Sequence, residues 1–322
     1  QNLIIEHANR DATIQFIIIA IIFFLQLLFF ERMHKYFVLN GLTKAIYLIY
    51  WFFYIIVFVV YITYVLTSWV FPNTPNSVLI AIFLFVCFYA SVSRPETAIN
   101  IGVVLLPMLV LFVLFMLRAI PNLHVTNLFP LFQESKESWM MGLIYATYAF
   151  GGAESFIMLR KYVLTGEKIK NKVLAAYSIF LTSFYLFSLL FTLMFFALEE
   201  IKLLPEPILY ILHSQEVTFV KRLDLFFIYI WLSWSLVAIV NYVLMMRLVY
   251  FEKKRKSPKL KLFILFTSLG IISIFLIRFS VLEFFKHYVV YLNIVFTFIL
   301  PISIIIVNKI RGRTISESDA SA

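Results

Sequence analysis

A single cysteine, Cys87, stands in the whole chain, and it lies inside an apolar run. That excludes a disulfide framework and a thiolate metal site. Glycine is scarce, with eight in 322 residues. No Gly-rich phosphate loop can be read, so the chain is not itself an ATP-driven pump. The five histidines, His7, His34, His124, His213 and His287, are expected in loops and lack metal spacing such as HExxH. No serine nucleophile elbow is present. Nothing therefore points to an enzyme, and no cofactor or metal is expected. Charge is scarce too, at 14% of residues. Short alternating strands are missing, which argues against a transmembrane barrel.

What the chain does have is apolar residues, 63% of the total, in runs of about 20 that recur along its length. This composition predicts an all-α polytopic membrane protein. A single transmembrane bundle domain is expected over residues 1–322, with 309–322 as a flexible cytoplasmic tail. Nine spans are expected: 11–30, 43–70, 77–92, 95–120 (with Pro107 inside), 139–162, 173–198, 223–250, 260–278 and 288–307. The stretch NLFPLFQESKES (127–138) reads as a surface or re-entrant segment. The loop over 199–222 is expected to hold one short amphipathic helix.

A net charge of +10 would suggest nucleic acid in a soluble protein. Here it follows from basic loops, and no nucleic-acid partner is expected. The loops after spans one, three, five and seven, with the C-terminus, carry 19 of the 27 Lys and Arg. The positive-inside rule puts that face in the cytoplasm, so the C-terminus is inside and residue 1 outside. The sequence opens on Gln1 without a natural-looking start, and we expect a further helix before it. That helix would make ten spans and return both ends to the cytoplasm. The loop FEKKRKSPKLK (251–261) is expected to touch anionic lipid.

Span five carries the least comfortable stretch, YATYAFGGAESF (145–156). Gly151 lies about 12 residues after Trp139, roughly 18 Å along a helix and so near the bilayer middle. Two glycines there weaken a helix by about 1 kcal/mol each relative to Ala. Two readings stand side by side. Gly151, Gly152, Ala153 and Ser155 are small and allow another helix to approach closely. Alternatively the helix is discontinuous, and its second half aims free N–H groups at an anionic ligand group. Glu154 bears on the choice, because a charge at the bilayer centre costs about 2.5–3.5 kcal/mol or more. It is either a protonated Glu bonded to a neighbouring helix, a proton-coupling group, or the partner of a ligand ammonium.

Other polar groups are less specific. Tyr54, Tyr61 and Thr63 in span two could face a pocket or serve packing. Ser233, Ser235 and Asn241 form a polar stripe in span seven. Glu96 with Arg94, and Asp224 with Arg222, are expected as interfacial ion pairs. Arg278 and Lys286 are expected to snorkel outward.

Three stretches then resemble one family. They are SRPETAINIGVVLLPMLVLFVLFMLRAIPNLHVTNLFPLF (93–132), YAFGGAESFIMLRKYV (148–163) and VKRLDLFFIYIWLSW (220–234). In order and spacing they are similar to the spore germination permeases, the GerAB-type B subunits of germinant receptors. The resemblance runs from about residue 5 to 310. It implies membership of the amino acid–polyamine–organocation transporter superfamily. The implied fold is a LeuT/APC-like bundle of ten helices in a five-plus-five inverted repeat, with the first and sixth unwound at the substrate site. By that register span five is the sixth helix, span one is the second, and the first is absent.

The resemblance also implies a location and a role: the spore inner membrane, beside an A-type subunit and a C-type lipoprotein subunit, sensing a small nutrient such as an amino acid, sugar or nucleoside. The ligand is then expected beside Thr147, Tyr148, Phe150, Gly151, Gly152 and Ser155, with Tyr54, Tyr61 and Ser233 from spans two and seven. Glu154 is the coupling candidate. The alternative is a proton-coupled amino acid permease. A third reading is a non-transporting assembly protein that keeps the break for packing.

Overall fold

In lipid, backbone N–H and C=O groups find no water, so spanning segments satisfy them within helices. The computed structural model describes residues 2–160, 168–215, 222–250, 259–278 and 282–314, and no strand occurs among them. In chain order the helices are α1 (Asn2–Ala8), α2 (Ala12–Met33), α3 (Gly41–Trp69), α4 (Asn76–Val92) and α5 (Pro95–Leu117). After them come α6 (Lys136–Ala146), α7 (Ala153–Arg160), α8 (Asn171–Phe195), α9 (Leu198–Leu203) and α10 (Pro207–His213). The last four are α11 (Leu223–Tyr250), α12 (Lys259–Arg278), α13 (Leu282–Asn293) and α14 (Leu300–Ile310). A π-helical stretch, Ile294–Ile299, joins α13 to α14.

Seven segments among the described residues are long and apolar enough to cross a bilayer, which makes the chain an integral multi-pass membrane protein. Two of the nine expected spans fall short of that length. Helix α4 has 17 residues, and span five is divided into α6 and α7. In the loop expected to hold a short helix, the described residues form two, α9 and α10, because Pro205 and Pro207 interrupt the run. The histidines are not confined to loops. His7, His213 and His287 lie in α1, α10 and α13, and His34 in a 3-10 turn. Among the described residues no cluster of His, Cys, Asp or Glu could hold a metal ion. The basic loop 251–258 and the tail from 315 lie outside the described residues.

Several helix starts are written in the sequence. Asn40 caps α3 by accepting the N–H of Thr43 at 2.8 Å, and Ser135 caps α6 through the N–H of Ser138. Such caps satisfy donors that the helix itself leaves unbonded.

The helices group into two compact units. The first comprises the described residues of Gln1–Val38, Val110–Ile228 and Asn293–Ile315. Here α2 packs against α6, α7 and α8, and Phe16, Phe23, Leu27 and Phe30 on it are buried. The side-chain amide of Asn308 donates to the carbonyls of Tyr36 and Val38, closing the turn that follows α2. Asp224 is buried and paired with Arg222 at 2.6 Å, as expected from the sequence.

The second unit comprises Leu39–Leu109 and Tyr229–Leu292 over their described residues. Its centre is α3, α4 and α12 packed together, with Tyr47 stacked on Trp51 and Phe88 edge-on to Phe263 and Phe266. Arg247 of α11 donates to the carbonyls of Ser91 and Ser93 and so caps the C-terminus of α4. Arg94 and Glu96, expected as an ion pair, are both exposed and do not pair. Glu96 instead sits in the first turn of α5, where the helix dipole favours an acid. Arg278 is exposed, and the side chain of Lys286 lies outside the described residues.

Candidate functional site

The discontinuous reading of span five is the one the backbone takes. Helix α6 ends at Ala146, a 3-10 turn covers Thr147–Phe150, and α7 begins at Ala153. Gly151 is extended (φ −56°, ψ 144°). Gly152 has φ +95°, a conformation that costs an L side chain about 1–2 kcal/mol. The glycine pair thus provides the break directly.

Close approach is the second reason for glycine. A Cβ on Gly151 would lie 2.6 Å from Oδ1 of Asn293 and 3.3 Å from the carbonyl of Tyr148. Asn293 is fully buried, and its Nδ2 donates to the carbonyl of Thr147 at 3.2 Å. A side-chain amide therefore bonds a carbonyl within the interrupted stretch.

Glu154 stands in the first turn of α7 and is fully buried. The hydroxyl of Thr297 donates toward Glu154 Oε2 at 2.9 Å and toward Asn293 Oδ1 at 3.0 Å. Thr297 lies in the π-helical stretch, and proline explains why. In a regular α-helix its carbonyl would receive the N–H of residue 301, which is Pro301 and has none. The Nε2 of Gln26 on α2 takes that place at 2.6 Å. Gln26, Thr297, Asn293 and Glu154 form one buried polar network around the break, all within the first unit. A π-helix at a functional site is a common association.

The far end of α7 is held as firmly. Arg160 makes a bidentate pair with Glu31 of α2, at 2.7 and 2.9 Å, with both side chains buried. The N–H of Ile169 donates to the same carboxylate at 2.9 Å. A helix of eight residues is too short to persist alone. Side-chain anchors at each end fix it instead.

The candidate residues divide accordingly. Thr147, Tyr148, Phe150, Gly151, Gly152, Glu154 and Ser155 are together in the first unit. Tyr54, Tyr61 and Ser233 belong to the second. Phe150 is committed to packing, with its ring between Phe16 at 5.0 Å and Phe23 at 4.8 Å. Thr147 and Ser155 turn their hydroxyls onto the carbonyls of Ile144 and Gly152. Tyr148 is partly exposed. In the second unit, Tyr54 packs on Tyr242 and Tyr61 stands edge-on to Trp231. Ser233 and Ser235 donate to carbonyls of their own helix, and Thr63 does the same.

Sequence reasoning missed Gln26, Asn293 and Thr297. A signal existed: Asn293, Thr297 and Pro301 are spaced four apart in an otherwise apolar run. That spacing puts two polar side chains on one face just before a proline that frees a carbonyl.

No curated protein matches the chain, and no solved structure does. The family model described as "Spore germination protein" matches residues 2–258. That range takes in all three stretches quoted above and both halves of the interrupted helix, while Asn293 and Thr297 fall beyond it. The chain belongs to the spore germination permease family.

Proposed function

We propose that the chain is a nutrient-sensing membrane subunit of the germination machinery, built on a transporter-like bundle. The ligand sits beside the interrupted helix at 147–155, and an amino acid is its most fitting class. The observation that carries this is the break itself, with Gly152 at φ +95° and buried Asn293 and Glu154 beside it. Irregular backbone at membrane depth is tolerated where it is buried in protein or lines a cavity, and there it offers hydrogen-bonding groups to a solute. The chain's own carboxylate, Glu154, already occupies the first turn of the half-helix. That favours the ammonium end of an amino acid at this point over its carboxylate.

Binding shifts the bundle between states, and A-type and C-type subunits in the spore inner membrane read that shift. The C-terminus faces the cytoplasm by the positive-inside rule. Spores carrying Gly151→Leu are expected to assemble the receptor and fail to respond to nutrient. A normal dose–response with normal receptor levels would refute the placement.

One observation favours a second reading, a proton-coupled amino acid permease: Glu154 is buried and bonded to Thr297 of a separate segment. Proteoliposomes decide between the two. Accumulation of labelled amino acid driven by an inward proton gradient supports the permease. Binding without accumulation supports the sensor.

A further inference from the structure

A second polar site lies in the first unit, away from the break. The turn after α1 and the loop before α6 border a half-open cavity of about 40 Å³. Asn9, Arg10, Asp11, Gln133 and Glu134 line it, and it shares no lining residue with the stretch 147–155. Asp11 is 1% exposed. Its Oδ1 accepts the N–H of Phe132 at 2.7 Å, while its buried Oδ2 has no hydrogen-bond partner. Asn9 donates its Nδ2 to Glu134, and its buried Oδ1 is likewise unpartnered. Arg10 donates Nε to the carbonyl of Asn127 at 3.0 Å.

The charges are arranged unusually. Among the described residues, none of Arg10, Asp11 and Glu134 takes part in an ion pair. A buried carboxylate without a charged partner, as Asp11 is, leaves its desolvation uncompensated. Here a guanidinium and two carboxylates share one cavity and remain apart. A simple anion there would face two carboxylates, and a simple cation would face the guanidinium. A small molecule carrying both charges satisfies each wall at once.

We propose that this cavity binds a small zwitterion, with its ammonium on Asp11 and Asn9 and its carboxylate on Arg10. Glycine is the smallest amino acid that carries both charges. The inference rests on the cavity's own charges and stands whether or not the interrupted helix holds a nutrient.

The test uses the full chain in lipid nanodiscs and labelled glycine in equilibrium dialysis, with methylamine and acetate as the two halves of the zwitterion. It is run in the Gly151→Leu background, where a site at the break is blocked. Glycine is expected to bind there at millimolar concentration. Each half alone should compete at least tenfold more weakly. Arg10→Gln and Asp11→Asn should each weaken glycine at least tenfold in protein with an unchanged thermal transition. If Asp11→Asn does not fold, Arg10→Gln alone carries the test with the same expectation. Absence of glycine binding, equal competition by methylamine or acetate alone, or unchanged affinity in the variants would each overturn the proposal.

Discussion

Gly151 and Gly152 are adjacent but meet different demands. Gly152 is required by its dihedral angle, φ +95°. Gly152→Ala is expected to cost about 1–2 kcal/mol, read by chemical denaturation in detergent. Gly151 is required by proximity, since an added Cβ would lie 2.6 Å from Asn293 Oδ1. Gly151→Ala displaces that amide and loses its bond to Thr147, at a cost of about 1 kcal/mol. Asn293→Ala removes the obstacle, so the two substitutions together should cost less than their sum, with a coupling of about 0.5–3 kcal/mol. Strict additivity in that double-mutant cycle would show that the close approach is not what selects glycine. Two glycines beside an intramembrane glutamate marked where a break could lie, and the family resemblance favoured the break over close packing alone. Asn293 could not be found that way, because it lies 142 residues further along and only folding brings it to Gly151.

Among the elements, α7 is the informative one, because it is too short to be stable alone and is held by others. Glu31 and Arg160 tie its end to α2 inside the first unit. Removing one partner leaves a buried charge, so Arg160→Met is expected to destabilise by about 3–5 kcal/mol. Glu31→Leu with Arg160→Met should restore most of that, and a double variant as unstable as the single one would refute the pairing. The π-helical stretch makes a matching case. Gln26→Leu strips the side-chain donor from the carbonyl of Thr297, a loss of about 1–3 kcal/mol. Pro301→Ala returns a backbone donor, so Gln26→Leu should be milder in that background by the same denaturation measurement. Long apolar runs placed most helices in advance, whereas the starts of α3 and α6, just after the caps Asn40 and Ser135, lie two or three residues before the spans expected there. The π-helix was not legible, since it depends on a proline acting together with a glutamine from another helix.

At the scale of the molecule, the seven bilayer-length apolar segments agree with the reading from composition, and membership of the spore germination permease family agrees with the resemblance of the three stretches. Motif order pointed to the family, and charge asymmetry between loops predicts an orientation. Which side chains surround the break is a different kind of information. It depends on helix rotation, which 20 residues of near-uniform hydrophobicity do not encode. Helix α2 illustrates this: it is apolar almost all round, and only packing selects the face that carries Gln15 and Gln26 as buried. The three functional readings also separate at this scale. A sensor and a permease both bind solute at the break, whereas a purely structural subunit does not.

Hydrogen exchange along the full chain, read by mass spectrometry during a screen of single amino acids, tests the central claim most directly. The amino acid that triggers germination should slow exchange at residues 147–155, where the interrupted backbone would bond it. Exchange there that is unchanged by a saturating, germination-competent nutrient would contradict the account.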